Sequence, residues 1–433
     1  MSREHAISIF KQAVAAVQPS VLMKKNVQRE KDTIRIAGHP FHLSPGRPVW
    51  ILGAGKASAA MTLALEEILA GIPLQGLVIT KYGHALPLQH ITLIEAAHPV
   101  PDDNGVQGTL RMKSLLKQVQ ENDLVIFLLS GGASALLADY PEGTTLAEVQ
   151  TVFEMLLKSG ANIHEMNVVR KHLSAIKGGQ LALLANTTAF CCLILSDVPG
   201  DDLHVIGSGP TVPDPSSFAD AAAILKKYNL QLPESIYQHL LQGINGNIPD
   251  TPKPGNPRFN TIHNFLIGNN QIALDAAASK AEELGYEVHI LTATATGEAS
   301  LLARQLVQQA VNWQGKRPAC LLMGGESTVT VTGNGLGGRN QQLALAAAVA
   351  LQDHHPEITL LSAGTDGTDG PTDAAGAIAD AALMAFAKEK GLDAAGYLQR
   401  HDAWHFFEQT NGLLKTGATQ TNVMDIIVVI INY

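Results

Sequence analysis

One unit of sequence, met twice in the first third of the chain, restricts the fold more than any other feature. A short, wholly apolar run leads into a glycine turn and then into an apolar-rich stretch at helical spacing. "VWILGAGKASAAMTLALEEILA" starts at Val49, and "DLVIFLLSGGASALLA" starts at Asp123. Runs that are apolar on both faces suit parallel strands covered by helices on each side. Strand, turn and helix in alternation therefore specify an α/β protein.

The alternation continues along the chain. "GLVITKYG", "ITLIEAAHP" and "AFCCLILSD" read as further strands. "TLAEVQTVFEMLLKSG" reads as a helix, with Thr144 or Thr145 as its N-cap and Gly160 beyond its end. Residues 249–257, "PDTPKPGNP", hold four prolines and no apolar periodicity, so they are the expected linker. Beyond them come a strand in "HNFLIG", a helix to Leu284, a strand in "YEVHILTAT" and a helix near 298–312. "CLLMGGE" and "STVTVTG" then read as adjacent strands, which makes the second sheet mixed. A helix in "RNQQLALAAAVALQ" and strands in "ITLLSAGTDG" and "DIIVVIINY" complete the chain. The expected domains are thus 1–248 and 258–433, joined by 249–257.

Composition narrows the class. Charged residues are 16% of the 433, against about 25% in typical domains. With 46% hydrophobic residues and 39 glycines, this fits a large, well-buried enzyme with many tight turns. A net charge of −9 without a basic stripe argues against a nucleic-acid partner. Cys191, Cys192 and Cys320 sit in apolar runs without metal-ligand spacing, which points to a reducing cytoplasm. No run approaches the roughly 20 apolar residues needed to cross a bilayer, and the N-terminus lacks a secretory core, so no membrane partner is expected. The 16 histidines form no HExxH-type cluster.

The glycine turns carry the candidate chemistry. "GAGKAS" follows a strand and opens a helix, but Ser58 replaces the third glycine of a dinucleotide fingerprint. The next strand ends on Lys81, where the ribose of NAD would want an acid. It is not a P-loop either, since Ala57 follows Lys56. A tight turn with a solvated lysine is the plain reading; a lysine at a helix N-terminus is unfavourable unless an anion neutralises it. In "LLSGGASALL", Ser130, Gly131, Gly132 and Ser134 can present backbone N–H groups to an anion, or can serve close helix–strand packing. Glu326 follows a strand, and Arg339 opens a helix and again asks for an anion. "GTDGTDGPTD" places Asp366, Asp369 and Asp373 on one loop without the EF-hand pattern. "SDVPGDDLHVIGSGPTVPD" gathers Asp197, Asp201 and Asp202 at a strand end, a set suited to a hard cation beside phosphate.

Eight motifs in order resemble one family: "GAGKAS", "AAHPVPD", "SGGASALL", "SDVPGDDLHVIGSGPTVPD", "GGESTVTV", "GGRNQQLAL", "GTDGTDGPTDAAGA" and "TNVMDI". They are similar to the class II glycerate 2-kinases with a C-terminal MOFRL domain, over nearly the whole chain. The resemblance implies transfer of the γ-phosphate of ATP to the C2 hydroxyl of D-glycerate, with Mg²⁺ or another divalent cation. It implies a Rossmann-like, doubly wound, mostly parallel sheet in the first domain, a second α/β domain with a mixed sheet, and an active site in the cleft between them. By the same resemblance Lys56, Asp197 and Arg339 are catalytic. Gly53, Gly55, Ser130, Gly131, Gly132, Ser134, Glu326, Asp366 and Asn422 bind substrate or nucleotide, and Asp197, Asp201 and Asp202 can hold the metal or take the hydroxyl proton. The chain departs from the family at Ala418, Gln420 and Met424, where Pro, Gly and Asn are commoner, and at Thr368. These changes bear on the last loop more than on the reaction. The partners are then small molecules, and the sequence leaves the oligomeric state open, a homodimer included. Rival readings are an NAD(P)H-dependent hydroxypyruvate reductase, which leaves the aspartate loops unused, and a non-catalytic binding protein.

Overall fold

The structure is a computed structural model, and it describes residues 1–352, 355 and 357–433. It divides into two compact units, each assembled from separated segments of the chain. One comprises Leu22–Ser196 and Asp201–Ile267; the other comprises Met1–Val21, Asp197–Gly200 and Gly268–Tyr433.

The first of these begins with an antiparallel meander, β1 (Val27–Glu30), β2 (Thr33–Ile36) and β3 (His39–His42). Its main sheet is built from β4 (Val49–Ala54), β5 (Leu74–Lys81), β6 (Thr92–Ala96), β7 (Leu124–Ser130), β8 (Ala189–Leu195) and β9 (Ile262–Gly268). The order is β6-β5-β4-β7-β8-β9, and the pairs from β6 through β8 are all parallel. Every residue of β4 and β7 is buried, as their apolar runs require. Helices Leu146–Lys158, Ile163–His172, Phe218–Lys227 and Glu234–Ile244 form a satellite core around Val152, Leu156, Val169, Phe218 and Leu240. Thr145 caps the first of these in a capping box with Glu148, and Gly160 beyond its end takes a left-handed φ of 78°.

The second unit has a mixed sheet of β10 (Glu287–Glu298), β11 (Ala319–Thr328), β12 (Ile358–Gly364), β13 (Gly376–Asp380), β14 (Leu413–Leu414) and β15 (Asp425–Ile431). The order is β10-β11-β15-β12-β13-β14, with only the β10–β11 pair parallel. The terminal strand is central, and all of its residues are buried. Helix Ser2–Ala16 belongs to this unit. His5 and Tyr286 hydrogen-bond at 2.7 Å, Asn432 donates to Ser2 Oγ at 2.7 Å, and Thr421 donates to the Val17 carbonyl at 2.6 Å.

Three sequence expectations need revision. The units are not the contiguous stretches 1–248 and 258–433: the first helix buries its Ile9, Phe10 and Ala13 face with the later residues, and β9 joins the earlier sheet. The proline-rich 249–257 stretch is fastened to the first unit, because Thr251 donates to Asp214 at 3.0 Å and Asp214 N–H donates to the Pro252 carbonyl at 2.8 Å. "STVTVTG" is not a separate strand. β11 runs on to Thr328 and stops, and Val331 beyond it is exposed. The three cysteines are free and buried, and burial pushes the Cys192 thiol up to about 12. Among the described residues no single helix is long and apolar enough to cross a membrane.

Candidate active site

β5 and β6 lie to one side of β4, while β7 and β8 lie to the other. The strand order reverses between β4 and β7, and in open α/β sheets ligands bind outside the carboxyl ends of the strands at that point. Both glycine turns stand there. A methyl group on Gly53 would lie 2.4 Å from the Leu128 carbonyl oxygen, and one on Gly55 would lie 2.0 Å from Ser130 Oγ. These two glycines let β4 and β7 approach; that is a packing role. Lys56 N–H donates to the Gly131 carbonyl at 2.8 Å, and Ala57 N–H donates to Ser130 Oγ at 3.1 Å. The turns are therefore stitched together, with the Lys56 backbone fixed in the seam.

Gly132 has a left-handed φ of 85°. A methyl group there would come within 2.9 Å of His98 Cδ2, 3.1 Å of His98 Nε2 and 3.5 Å of Lys56 Cγ. His98 and Lys56 thus pack closely against Gly132. Burial, then the charges of Lys56, Lys81 and His84, lower the His98 imidazole to about 4, so it is neutral near pH 7. The helix expected after this turn is a single turn, Ala133–Leu136, so the anion site expected at its N-terminus reduces to the N–H groups of the turn itself. Ser134 is engaged inward: its hydroxyl meets Ser208 Oγ at 2.8 Å, and Ser208 donates to Asn167 at 2.8 Å.

In the other unit, Arg339 opens helix Arg339–Leu351 and meets acids from two strands. Its Nε and Nη2 donate to both oxygens of Asp425, at 2.7 and 3.0 Å, and Nη1 donates to Glu326 at 2.8 Å. The anion that this arginine demanded is supplied by the chain. These carboxylates hold the guanidinium even more firmly protonated than usual. Asp425 begins β15 between Gly325 of β11 and Gly364 of β12. Asp369 supplies the cap of the arginine's helix, accepting from Asn340 N–H at 3.0 Å and Gln341 N–H at 2.8 Å. Asp366 folds its own turn, accepting from the Thr368 N–H at 3.0 Å and hydroxyl at 3.1 Å. Asp373 pairs with Lys415 at 2.7 Å and accepts from Trp404 at 3.0 Å.

The acidic motif is divided. Asp197 lies with the later unit, where Asn422 Nδ2 donates to its Oδ2 at 3.0 Å; the side-chain Oδ1 of Asn422 in turn accepts from Met424 N–H at 3.1 Å. Asp201 and Asp202 lie with the earlier unit, and Asp202 accepts from His204 N–H at 2.8 Å. Among the described residues no three His, Cys, Asp or Glu side chains are grouped as metal ligands.

Of the anticipated residues, the structure gathers Gly53, Gly55, Lys56, Ser130, Gly131 and Gly132 at the switch point. It gathers Glu326 and Arg339 around Asp425, and it joins Asp197 to Asn422. Sequence reasoning passed over His98 and Asp425. The signal for Asp425 was available, as the lone charge at the head of the run "DIIVVII". The sequence marks His98 only through "AAHPVPD", because its neighbours come from two other loops.

Fold and site define a two-unit α/β protein with two glycine turns joined at the switch point of its parallel sheet. Residues 5–241 match a family described as a domain of unknown function, DUF4147, and residues 319–425 match the MOFRL family. Glycerate 2-kinase of Pyrococcus horikoshii is 40% identical, over 99% of this chain and 97% of its own. D-glycerate 2-kinase of Thermotoga maritima is 41% identical, over 98% and 97%. A crystal structure of a glycerate kinase from Thermotoga maritima superposes with a TM-score of 0.85 at 40% identity, covering 99% of each chain. Relatives of similar identity bear provisional hydroxypyruvate reductase names. The chain belongs to the glycerate 2-kinase family with a C-terminal MOFRL domain.

Proposed function

We propose that the protein transfers the terminal phosphoryl group of ATP to the C2 hydroxyl of D-glycerate, giving 2-phosphoglycerate and ADP. The observation that carries this reading in the structure is the seam of two glycine turns at the switch point, with Lys56 in it. Phosphoryl transfer asks a protein mainly to position its reactants and to neutralise charge. The C2 oxygen bonds to the γ-phosphorus, the bond from that phosphorus to the β,γ-bridging oxygen breaks, and the hydroxyl proton leaves to a carboxylate. Asp197, oriented by Asn422, is the carboxylate assigned to that proton. Lys56 attracts the substrate carboxylate. Arg339, clamped by Asp425 and Glu326, has N–H groups beyond the three engaged ones to offer a phosphoryl oxygen. A magnesium ion bound to the ATP phosphates would neutralise their charge, with a carboxylate contact from the 197–202 motif.

The reductase alternative lacks its ribose acid, since β5 ends on Lys81. Incubation with ATP, Mg²⁺ and D-glycerate should yield ADP and the 2-phosphate. Only the 3-phosphate would refute the regiochemistry, and NADH oxidation on hydroxypyruvate without ATP consumption would refute the reaction class.

A further inference from the structure

Asn167, in the middle of helix Ile163–His172, is 3% exposed, and its Nδ2 is buried without a hydrogen-bond partner among the described residues. A buried donor left unpaired is costly and calls for a reason. The oxygen of the same amide begins a chain of hydroxyls. Ser208 Oγ donates to Asn167 Oδ1 at 2.8 Å, and Ser134 Oγ lies 2.8 Å from Ser208 Oγ. Ser134 is half-buried and belongs to the second glycine turn, after β7 at the switch point. Ser208 is kept against its backbone preference. It holds a left-handed φ of 62° between Gly207 at 58° and Gly209 at 63°, a conformation that glycine takes freely and serine rarely. Its carbonyl accepts from Gly178 N–H at 3.0 Å, and the Gly209 carbonyl accepts from Gly179 N–H at 2.7 Å, so this backbone is pinned. A third glycine would relieve it and would lose the hydroxyl.

We propose that Asn167 and Ser208 are positioning residues, which aim the hydroxyl proton of Ser134 at an anionic oxygen of a reactant, on ATP or on glycerate. This rests on the kinase reading above. A serine hydroxyl has one proton to give. While Ser208 donates to the amide oxygen, Ser134 must donate inward to Ser208, and only its lone pairs face outward. An asparagine amide keeps nearly the same shape when its oxygen and NH₂ change places. Rotated so, Nδ2 donates to Ser208, Ser208 donates to Ser134, and the Ser134 proton is left for the crevice. The rotation pairs the stranded Nδ2 and leaves a carbonyl oxygen instead, the less costly group to strand. An anion beside Ser134 completes this direction, and a cation would complete the other. Lys56 after β4 and Lys81 at the end of β5 put positive charge on the same edge of the sheet, which favours the anion.

Asn167→Asp keeps the size of the side chain but, when ionised, offers acceptors only, and so holds the chain in its inward direction. Calorimetric titration with ATP and Mg²⁺, and separately with D-glycerate, reads the effect without turnover. The Kd of one ligand should rise roughly 10- to 100-fold, the range set by one lost hydrogen bond to a charged group. Weaker ATP assigns the proton to a phosphate oxygen; weaker glycerate assigns it to the carboxylate. Ser134→Ala should weaken the same ligand to a similar degree. Asn167→Asp added to Ser134→Ala should weaken it no further, since Asn167 acts only through that hydroxyl. If Asn167→Asp fails to fold, Ser208→Ala breaks the same chain and takes its place in the cycle. Unchanged Kd values, or equal weakening of both ligands, would overturn the proposal. So would losses that add in the double variant, as a general loosening of the fold produces. If the unmodified protein binds both ligands but transfers no phosphate, the kinase reading falls, and the two Kd values still judge the chain. If it binds neither, both fall.

Discussion

Lys56 stands on a turn whose backbone is held by Gly131, whereas Arg339 is locked between Asp425 and Glu326. Lys56→Ala is expected to lose about 3 kcal/mol or more of transition-state stabilisation, some 100-fold in kcat/KM. Arg339→Ala is expected to lose activity and stability together, because it strands the nearly buried Asp425; breaking such a pair costs on the order of 3–5 kcal/mol. Arg339→Lys keeps the charge but not the two-pronged contact, and should recover only part of each. Urea midpoints measured beside kcat/KM separate these outcomes. The departures in the last loop have their own consequence. Gln420 and Met424 hold left-handed φ values of 63° and 72°, at the positions where Gly and Asn are commoner in the family. Such a conformation costs a non-glycine residue roughly 1–2 kcal/mol. Gln420→Gly should therefore raise the melting temperature by the equivalent of about 0.5–1 kcal/mol once the greater unfolded-state freedom of glycine is deducted. A lower melting temperature would show that the glutamine is held by contacts that outweigh its strain.

Helix Arg339–Leu351 depends on an acid from a different loop, Asp369, for its first N–H groups. Burial pushes the Asp369 carboxyl up to about 6, against the pull of those two N–H bonds and of Arg339. The folded protein then binds this proton more tightly than the unfolded chain does. Its contribution is fully present below about pH 4 and is lost as pH rises through about 6, a change of about 3 kcal/mol. Asp369→Asn cannot titrate, so its stability relative to the unmodified protein should improve between pH 4 and 6 and level off above. Urea midpoints across that range, if parallel for the two proteins, would refute the shift. Elements such as this helix were legible in the sequence, and so were β4, β7 and β15, since long apolar runs bounded by glycine leave few options. "STVTVTG" misled because alternating valine and threonine satisfies the pattern of a strand whether or not a partner strand is there to pair with it. The candidate site was legible where a turn carries its own charge, as at Lys56 and Arg339. It was illegible where function depends on neighbours from elsewhere, as at Asn167 and at the counter-ions of Arg339.

At the scale of the whole molecule, the domain boundaries were hidden because a helix pattern says that a face must be buried but not against what. Helix Ser2–Ala16 buries that face in the unit formed by residues 268 onward. Removing residues 1–21 should therefore expose the far end of the chain. Hydrogen exchange is expected to quicken in helix Asn270–Glu283 and in β15, more than in the meander β1–β3 that directly follows the deletion. Faster exchange in the meander alone would contradict the assignment. The interleaving also sets an order in time. A ribosome adds about 5–20 residues per second. The first helix leaves the exit tunnel tens of seconds before β15, the strand at the centre of its own sheet, has been made. Until helix Asn270–Glu283, its principal packing partner, has been made, the apolar face of Ile9, Phe10 and Ala13 has no native surface to cover it. A helix made early thus waits for residues from 270 onward before it can take its place.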